Sequence, residues 1–287
     1  MNDRQNPVRI LQNNKQNDYD YIRLFGNFFV DVEPVKNLKF RSSLGIDYGI
    51  YDALNSQLSY SSGYLKNETN MVTNNHSSNK KIVWSNTLSY EYEVDNHRFD
   101  IMAGSEFYKQ KDESFWASAQ DFAVEDEDYM YLDAATGKKD NGGSAAEYAL
   151  MSYFGKMNYV YNDKYLASAT LRYDGSSRFG NNNQYGLFPA FSVGWRINQE
   201  DFIKDNLKSV SNLKLRFGWG KTGNQEIDNN ATYSLYQTNY GGGDPTWRSP
   251  NGTAYDMYGQ GTGTLPSGYS VVQTGNDDLM QTLHLFV

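Results

Sequence analysis

The sequence predicts an all-β chain, an antiparallel transmembrane β-barrel segment with long extracellular loops, and three observations predict it. Long stretches alternate apolar and polar residues, tyrosines bracket the apolar positions, and short connections take turns with long ones. Residues 165–197, YLASATLRYDGSSRFGNNNQYGLFPAFSVGWRI, display the first two around a Gly/Asn/Ser loop. In the first half, Tyr165, Ala167, Ala169, Leu171 and Tyr173 share one face, while Ser168, Thr170, Arg172 and Asp174 share the other. Tyr165 and Tyr173 are then about 26 Å apart at ~3.3 Å per residue. Tilted by ~35–45°, such a strand rises roughly 20 Å, close to the ~25 Å apolar band between the aromatic girdles of an outer-membrane barrel.

Eight such segments follow one another, at residues 20–32, 38–51, 81–94, 98–111, 148–161, 165–174, 186–198 and 213–221. In the second, Leu38, Phe40, Leu44, Ile46, Tyr48 and Ile50 fall on one face, and Lys39, Arg41, Asp47 and Tyr51 on the other. Were the polar face in lipid, Lys39 and Arg41 would each cost about 2–4 kcal/mol near the midplane. The apolar face therefore points outward. The same parity recurs in Ile82, Trp84, Leu88, Tyr90, Tyr92 and Val94, and in Phe99, Ile101, Ala103 and Phe107.

The connections at 33–37, 95–97 and 162–164 are tight, and those at 52–80, 112–147 and 175–185 are longer. Short periplasmic turns and long extracellular loops have this order, so parity assigns a side to each connection. Residues 199–212 break the size rule on the periplasmic side, and EDFIKDNLKSV within them suits a helical turn. Pro189 lacks a ladder donor and is expected near the extracellular rim or at a bulge. Beyond Gly223 the chain is rich in Gly, Asn, Thr, Ser and Tyr through Gly275, which reads as one long external loop with a hairpin or two.

Composition narrows the function. Hydrophobic residues make up 39% of 287, low for a large buried core, whereas 24 tyrosines suit interfacial girdles. No apolar run reaches the ~18–20 residues of a spanning helix, so membrane crossing falls to strands. A net charge of −8 argues against a nucleic-acid partner, which requires clustered Lys and Arg. Absence of cysteine removes disulfide frameworks and thiolate chemistry. His76, His97 and His284 are too dispersed for metal-ligand spacing, and no Gly-x-Ser-x-Gly elbow anchors a hydrolase, so neither enzyme chemistry nor a cofactor is expected. Glu125 to Asp128, with Asp121 and Asp133, is either a calcium-ligating run or a solvated loop; its spacing is not that of an EF-hand.

Three blocks carry a family resemblance: YLASATLRYDGSSRFG at 165–180, GLFPAFSVGWRINQEDF at 186–202, and LKLRFGWGKTGNQ at 213–225. In order and spacing they resemble the SusC/RagA family of TonB-dependent outer-membrane transporters. The resemblance implies a barrel of roughly 22 strands with a plugged lumen, of which this chain supplies about eight. It implies import of oligosaccharides or peptides across the outer membrane of a Gram-negative bacterium. A SusD-like surface lipoprotein and the TonB, ExbB and ExbD complex are the implied partners, with outer-membrane lipid around the wall. Residues 1–287 are thus expected to be part of one barrel domain, without plug, TonB box or signal peptide. After Asn276, Asp277, Asp278 and Leu279 the family's usual continuation is replaced by MQTLHLFV, although Phe286 stands where a final barrel strand ends in an aromatic residue.

The candidate substrate-binding residues are Arg172, Asp174 and Arg178 on the lumen side and Tyr236, Tyr240, Trp247 and Tyr255 in the late loop. Arg196, Lys214 and Arg216 are further lumenal charges facing plug or substrate, or neutralised by neighbours, and Tyr258 joins the loop aromatics. Aromatic rings there stack on sugars, on a lipoprotein lid or on one another. The alternative to a transporter is a soluble secreted β-sandwich, a carbohydrate-binding or adhesin-like module.

Overall fold

Each tight turn is closed by Asn or Asp in the left-handed region, where short polar side chains are tolerated and where the twist of a hairpin demands positive φ. In the computed structural model these are Asn37 (φ 68°), Asp95 (φ 50°), and the pair Asn162 (φ 51°) and Asp163 (φ 53°). The structure describes residues 7–13, 17–62, 64–126, 128–206, 211–238, 269–280 and 282–286.

The elements in chain order are α1 (Pro7–Asn13), β1 (Asp18–Val35), β2 (Leu38–Gln57), β3 (Tyr60–Ser62), β4 (Leu65–Asn67), β5 (Met71–Val94), β6 (His97–Gln120) and β7 (Lys139–Tyr161). There follow β8 (Tyr165–Ser176), β9 (Tyr185–Arg196), a 3-10 turn (Ile197–Gln199), α2 (Asp201–Asn206), β10 (Lys214–Asn224), β11 (Leu235–Thr238), β12 (Tyr269–Gln273) and β13 (Thr282–Phe286). The chain forms two units, Met1–Tyr92 with Asp100–Met151, and Glu93–Phe99 with Ser152–Val287.

In the first unit the hydrogen-bonded order is β1-β2-β5-β6-β7. Phe28 pairs with Leu44 and Leu44 with Trp84, whereas Asp31 pairs with Arg41 and Arg41 with Thr87 on the opposite face. The apolar face is uncovered: Leu24, Phe28 and Trp84 are all at least half exposed. Ser42, which the alternation sends outward among apolar neighbours, is capped by the Trp84 indole N–H at 3.1 Å. The buried cluster of this unit gathers where the loop residues Phe122, Met130 and Ala135 pack against Val72 at the start of β5 and Ala119 at the end of β6.

In the second unit the hydrogen-bonded order is β7-β8-β9-β10-β13. Ala169, Phe191 and Trp219 align across β8, β9 and β10 on one face, and Ser168, Ser192 and Gly218 on the other. The ladder between β9 and β10 stops at Ala190, one residue short of Pro189, which has no N–H to extend it. On its other edge β10 pairs with β13, Gly220 opposite Phe286 and Asn224 opposite Thr282. The expected strands of about eight are thereby joined by a further one, and the MQTLHLFV stretch contributes it.

Two long connections are shorter than the alternation suggests. β2 and β5 stay paired from Leu38 opposite Tyr90 as far as Gln57 opposite Met71, and a small β3–β4 hairpin occupies part of the remainder. Likewise β6 runs to Gln120 and β7 starts at Lys139. Stretches such as MVTNNHSSNK are polar on both faces, so period-two hydropathy vanishes while backbone pairing persists. The helical turn expected within 199–212 is α2.

Candidate functional site

The polar face is organised by paired charge. In the first unit Arg23 donates through Nε and Nη2 to both carboxylate oxygens of Asp47 at 2.8 Å, and Arg41 does the same to Asp31 at 2.6 Å. Each guanidinium also lies over an aromatic ring, Arg23 at 5.8 Å from the Phe25 centroid and Arg41 at 4.9 Å from that of Phe29. Further along the same unit Asn79 and Gln110 both donate to Asp112, Tyr108 donates to Gln110 at 2.6 Å, and Tyr148 reaches Gln110 at 3.3 Å. Such a network is the wall of a wet space, because ionised groups facing hydrocarbon cost several kcal/mol each.

In the second unit Arg172 and Asp174, two residues apart on β8, share this face. Arg172 donates through Nε at 3.2 Å and Nη2 at 3.1 Å to the two carboxylate oxygens of Asp174, with the Phe154 ring 5.4 Å from its guanidinium carbon. The pair is partly exposed, so its polar atoms remain within reach of a ligand. Arg178 is placed differently: it sits in the turn after β8 with its side chain only 12% exposed. Its Nε donates to Asn229 Oδ1 at 2.6 Å and its Nη1 to the Gln225 carbonyl at 3.1 Å, and Glu226 lies 3.8 Å away. Arg178 thus ties the loop after β8 to the segment after β10.

That tie belongs to a packed platform. Phe179 is buried, the Gly180 N–H donates to the Leu279 carbonyl at 3.0 Å, and the Asn182 side chain donates to Asp278 at 2.8 Å. A Cβ on Gly180 would stand 1.9 Å from the Asp277 carbonyl oxygen, so only glycine permits this approach. Gln273 closes the platform by donating to the Asn230 and Tyr233 carbonyls. Tyr236 stands on β11 opposite Val271 and is 63% exposed, with its ring available to a ligand. Tyr240, Trp247, Tyr255 and Tyr258 lie outside the described residues. The structure therefore brings Arg172 and Asp174 together as a pair, and builds Arg178 into the loop platform.

The residue that the sequence reading passed over is Glu200. It follows the 3-10 turn after β9, and its carboxylate receives the Lys164 ammonium at 2.9 Å and the Trp195 indole and Tyr165 hydroxyl at 3.0 Å each. The Lys164 hydrogen bond, followed by those from Trp195 and Tyr165, holds the Glu200 carboxyl below its usual range, and the same contact raises Lys164. The signal was its position three residues after the girdle segment VGWRI, inside a block that the resemblance quoted.

Among the described residues no group of three His, Asp or Glu side chains could hold a metal ion. In the acidic loop, burial pushes the Glu125 carboxyl up, but hydrogen bonds from Ser59 and Asn70 outweigh it and leave the group lowered. That carboxylate is a loop fastener, accepting Ser59 N–H at 3.1 Å and Asn70 Nδ2 at 2.9 Å.

An antiparallel sheet with an uncovered apolar face, tyrosine-bracketed strands and a charge-paired opposite face defines the wall of a membrane-spanning β-barrel. No protein-family model matches the chain. It is 31% identical over 245 residues to the TonB-dependent receptor SusC of Bacteroides thetaiotaomicron, covering 83% of this chain and 23% of that protein. It is also 39% identical over 120 residues to the TonB-dependent receptor P39 of Formosa agariphila, covering 42% of this chain and 11% of the relative. The structure of the RagAB peptide transporter superposes with a TM-score of 0.77 at 22% identity, over 94% of this chain and 28% of the transporter chain. The chain belongs to the SusC/RagA-type TonB-dependent receptors, and spans about a quarter of the length of the SusC relative it matches.

Proposed function

We propose that the chain is a stretch of barrel wall from an outer-membrane active transporter of a Gram-negative bacterium, importing oligosaccharides or peptides with energy from TonB. The observation that carries the reading is the opposition of faces: Phe191, Val193, Leu215 and Phe217 are each about half exposed on one face, while charged pairs such as Arg172 with Asp174 occupy the other. A soluble sandwich buries its apolar faces against each other, and the described residues of these strands do not. The chain supplies wall and loops and performs no chemistry. A SusD-like surface lipoprotein covers the extracellular side, and the TonB, ExbB and ExbD complex acts through another part of the polypeptide. Arg172, Asp174, Arg178 and the loop tyrosines, with Tyr236 foremost, line the substrate's route, with Tyr240, Trp247 and Tyr255 following in the same loop.

The test is fractionation of the full-length protein with electrophoresis before and after heating. Outer-membrane recovery, heat-shifted migration and uptake that stops when the proton gradient is collapsed are expected. A soluble product with unchanged migration overturns the proposal.

A further inference from the structure

The polar face of the first unit changes character toward its extracellular end. Ile22 and Ile50, register partners on the opposite face, are followed there by Asp20 opposite Asp52, which marks the edge of the hydrocarbon. At that level Tyr21, Tyr51 and Ser77 form a row across β1, β2 and β5 on the polar face. Asn79, two residues from Ser77, donates to Asp112 of β6, and Ser114 and Trp116 share the face of Asp112 at two-residue steps.

Two aromatic side chains here rest on glycine. A Cβ on Gly49 would stand 3.1 Å from the Tyr21 hydroxyl and 3.5 Å from its Cε2, and one on Gly142 would stand 2.8 Å from Trp116 Nε1 and 3.0 Å from its Cε2. With one side seated on backbone each ring offers its other side, and Tyr21 is 64% exposed. Tyr19 and Tyr51 stack at 6.5 Å with their planes 23° apart.

Beside Tyr21 the face is hollowed into a recess of about 320 Å³, bounded also by Tyr51, Ser77, Asp112, Ser114 and Ser144. Its lining carries hydroxyls, an amide and carboxylates but, among the described residues, no Lys or Arg. Asp112 accepts from Asn79 and, at 2.7 Å, from Gln110 Nε2, and the Ser114 and Ser144 hydroxyls lie 3.1 Å apart. A carboxylate has about four lone-pair sites, so Asp112 can take further donors. Glu113 is turned to Lys111 at 2.8 Å. An anionic ligand would meet like charge here with no cation to compensate it, whereas a ring rimmed with hydroxyls would find both acceptors and donors.

We propose that this recess is a subsite for an uncharged oligosaccharide, one hexose ring lying against Tyr21 with its hydroxyls on Asp112, Ser114 and Ser144, and a further ring on Trp116. The inference rests on the functional reading above and selects glycan over peptide as the cargo. Hexose rings pair apolar C–H faces with a polar edge, which matches aromatic platforms bordered by hydroxyls. A peptide would bring a terminal carboxylate for which the lining holds no partner. From β1 to β7 the face crosses four interstrand gaps, roughly 19 Å at ~4.8 Å each, long enough for a chain of rings.

Calorimetry on the purified full-length protein, with a panel of uncharged hexose oligosaccharides of differing linkage and a panel of oligopeptides, tests this at low and high salt. At least one neutral oligosaccharide is expected to bind with an affinity that salt leaves unchanged. Tyr21→Ala should weaken that binding about tenfold through loss of the ring. Asp112→Asn, which keeps the shape, should weaken it about threefold or more through loss of the charged acceptor. Tyr21→Phe, which keeps the ring, should cost less than Tyr21→Ala, and the two shape-conserving variants carry the test if Tyr21→Ala loses heat-shifted migration. Binding of peptides alone, or of an oligosaccharide indifferent to Asp112→Asn and to both Tyr21 variants, overturns the inference while heat-shifted outer-membrane protein leaves the functional reading in place. A soluble product without heat-shifted migration overturns that reading itself.

Discussion

Tyr165 and Trp195, register partners across β8 and β9, donate to the same oxygen: the hydroxyl and the indole N–H each lie 3.0 Å from Oε1 of Glu200. Their rings share the apolar face of the strands and their polar ends meet at one carboxylate in the turn after β9, the arrangement that suits aromatic residues at a membrane boundary. Lys164 completes the acceptor's neutralisation from the turn. Glu200→Gln keeps the shape but loses the charge, and is expected to lower the unfolding temperature of the full-length protein by several degrees. Tyr165→Phe, which removes one donor, should have a smaller effect in the same melt.

Acid should act through the same carboxylate. The folded protein holds Glu200 below its ordinary value near 4.5, so its contribution is present above that value and lost as pH falls through the lowered one. Lys164 is raised from an ordinary value near 10.5, so its contribution is present below that value and lost as pH rises through the raised one. Melting temperature scanned from neutrality into acid should fall less steeply in Glu200→Gln than in the wild type. Identical slopes would remove Glu200 from the account.

Face assignment yields a sharper contrast. Phe191→Arg places a cation on the apolar side at the middle of β9 and is expected to cost about 2–4 kcal/mol in a bilayer. Thr170→Asn, on the opposite face of β8, should stay within about 1 kcal/mol. Urea unfolding in lipid vesicles measures both, and equal penalties would overturn the assignment of one face to lipid.

Gly180→Ala should detach the loop after β8 from residues 276–279, since the added carbon meets backbone with nowhere to move. A cost of about 1–3 kcal/mol, the usual range for overpacking, is expected. It should appear as faster proteolysis near residues 177–183, with the paired strands protected as before.

Asn70 plays the corresponding part in the first unit. Its side chain accepts from Phe122 N–H at 2.6 Å and donates to the Phe122 carbonyl at 2.9 Å, within a 7% exposed site. Asn70→Ala leaves buried backbone groups without partners, worth about 1–3 kcal/mol. Hydrogen exchange should rise across residues 121–138 and stay slow in the centre of β5.

What the sequence made legible follows the hydrocarbon. Where lipid demands apolar side chains at every second position, as at Phe191 and Val193 or Leu44 and Ile46, the strands and their outward face could be read directly, and Pro189 stands next to the end of a ladder as its missing donor required. Above the lipid that demand disappears, and Met71 to Lys80 pairs with β2 without any hydropathy rhythm to announce it. Arg172 and Asp174 were legible as a pair because two residues in a strand share a face. Arg178's ties to Asn229 and Gln225 were not, since contacts about fifty positions apart in a Gly/Asn-rich loop leave no periodic trace.

The strands β5 and β6 each run for 24 residues. At ~3.3 Å per residue that is roughly 80 Å of continuous ribbon, against a hydrocarbon thickness of ~30 Å. Much of each ribbon therefore stands as a stiff parapet beyond the lipid, and its height is quantised in residue pairs. A lid resting on it would be held at an altitude written in strand length. Trimming one residue pair would lower the rim without rotating the faces below, whereas removing a residue from a single strand would turn every side chain beyond the cut from wall to interior.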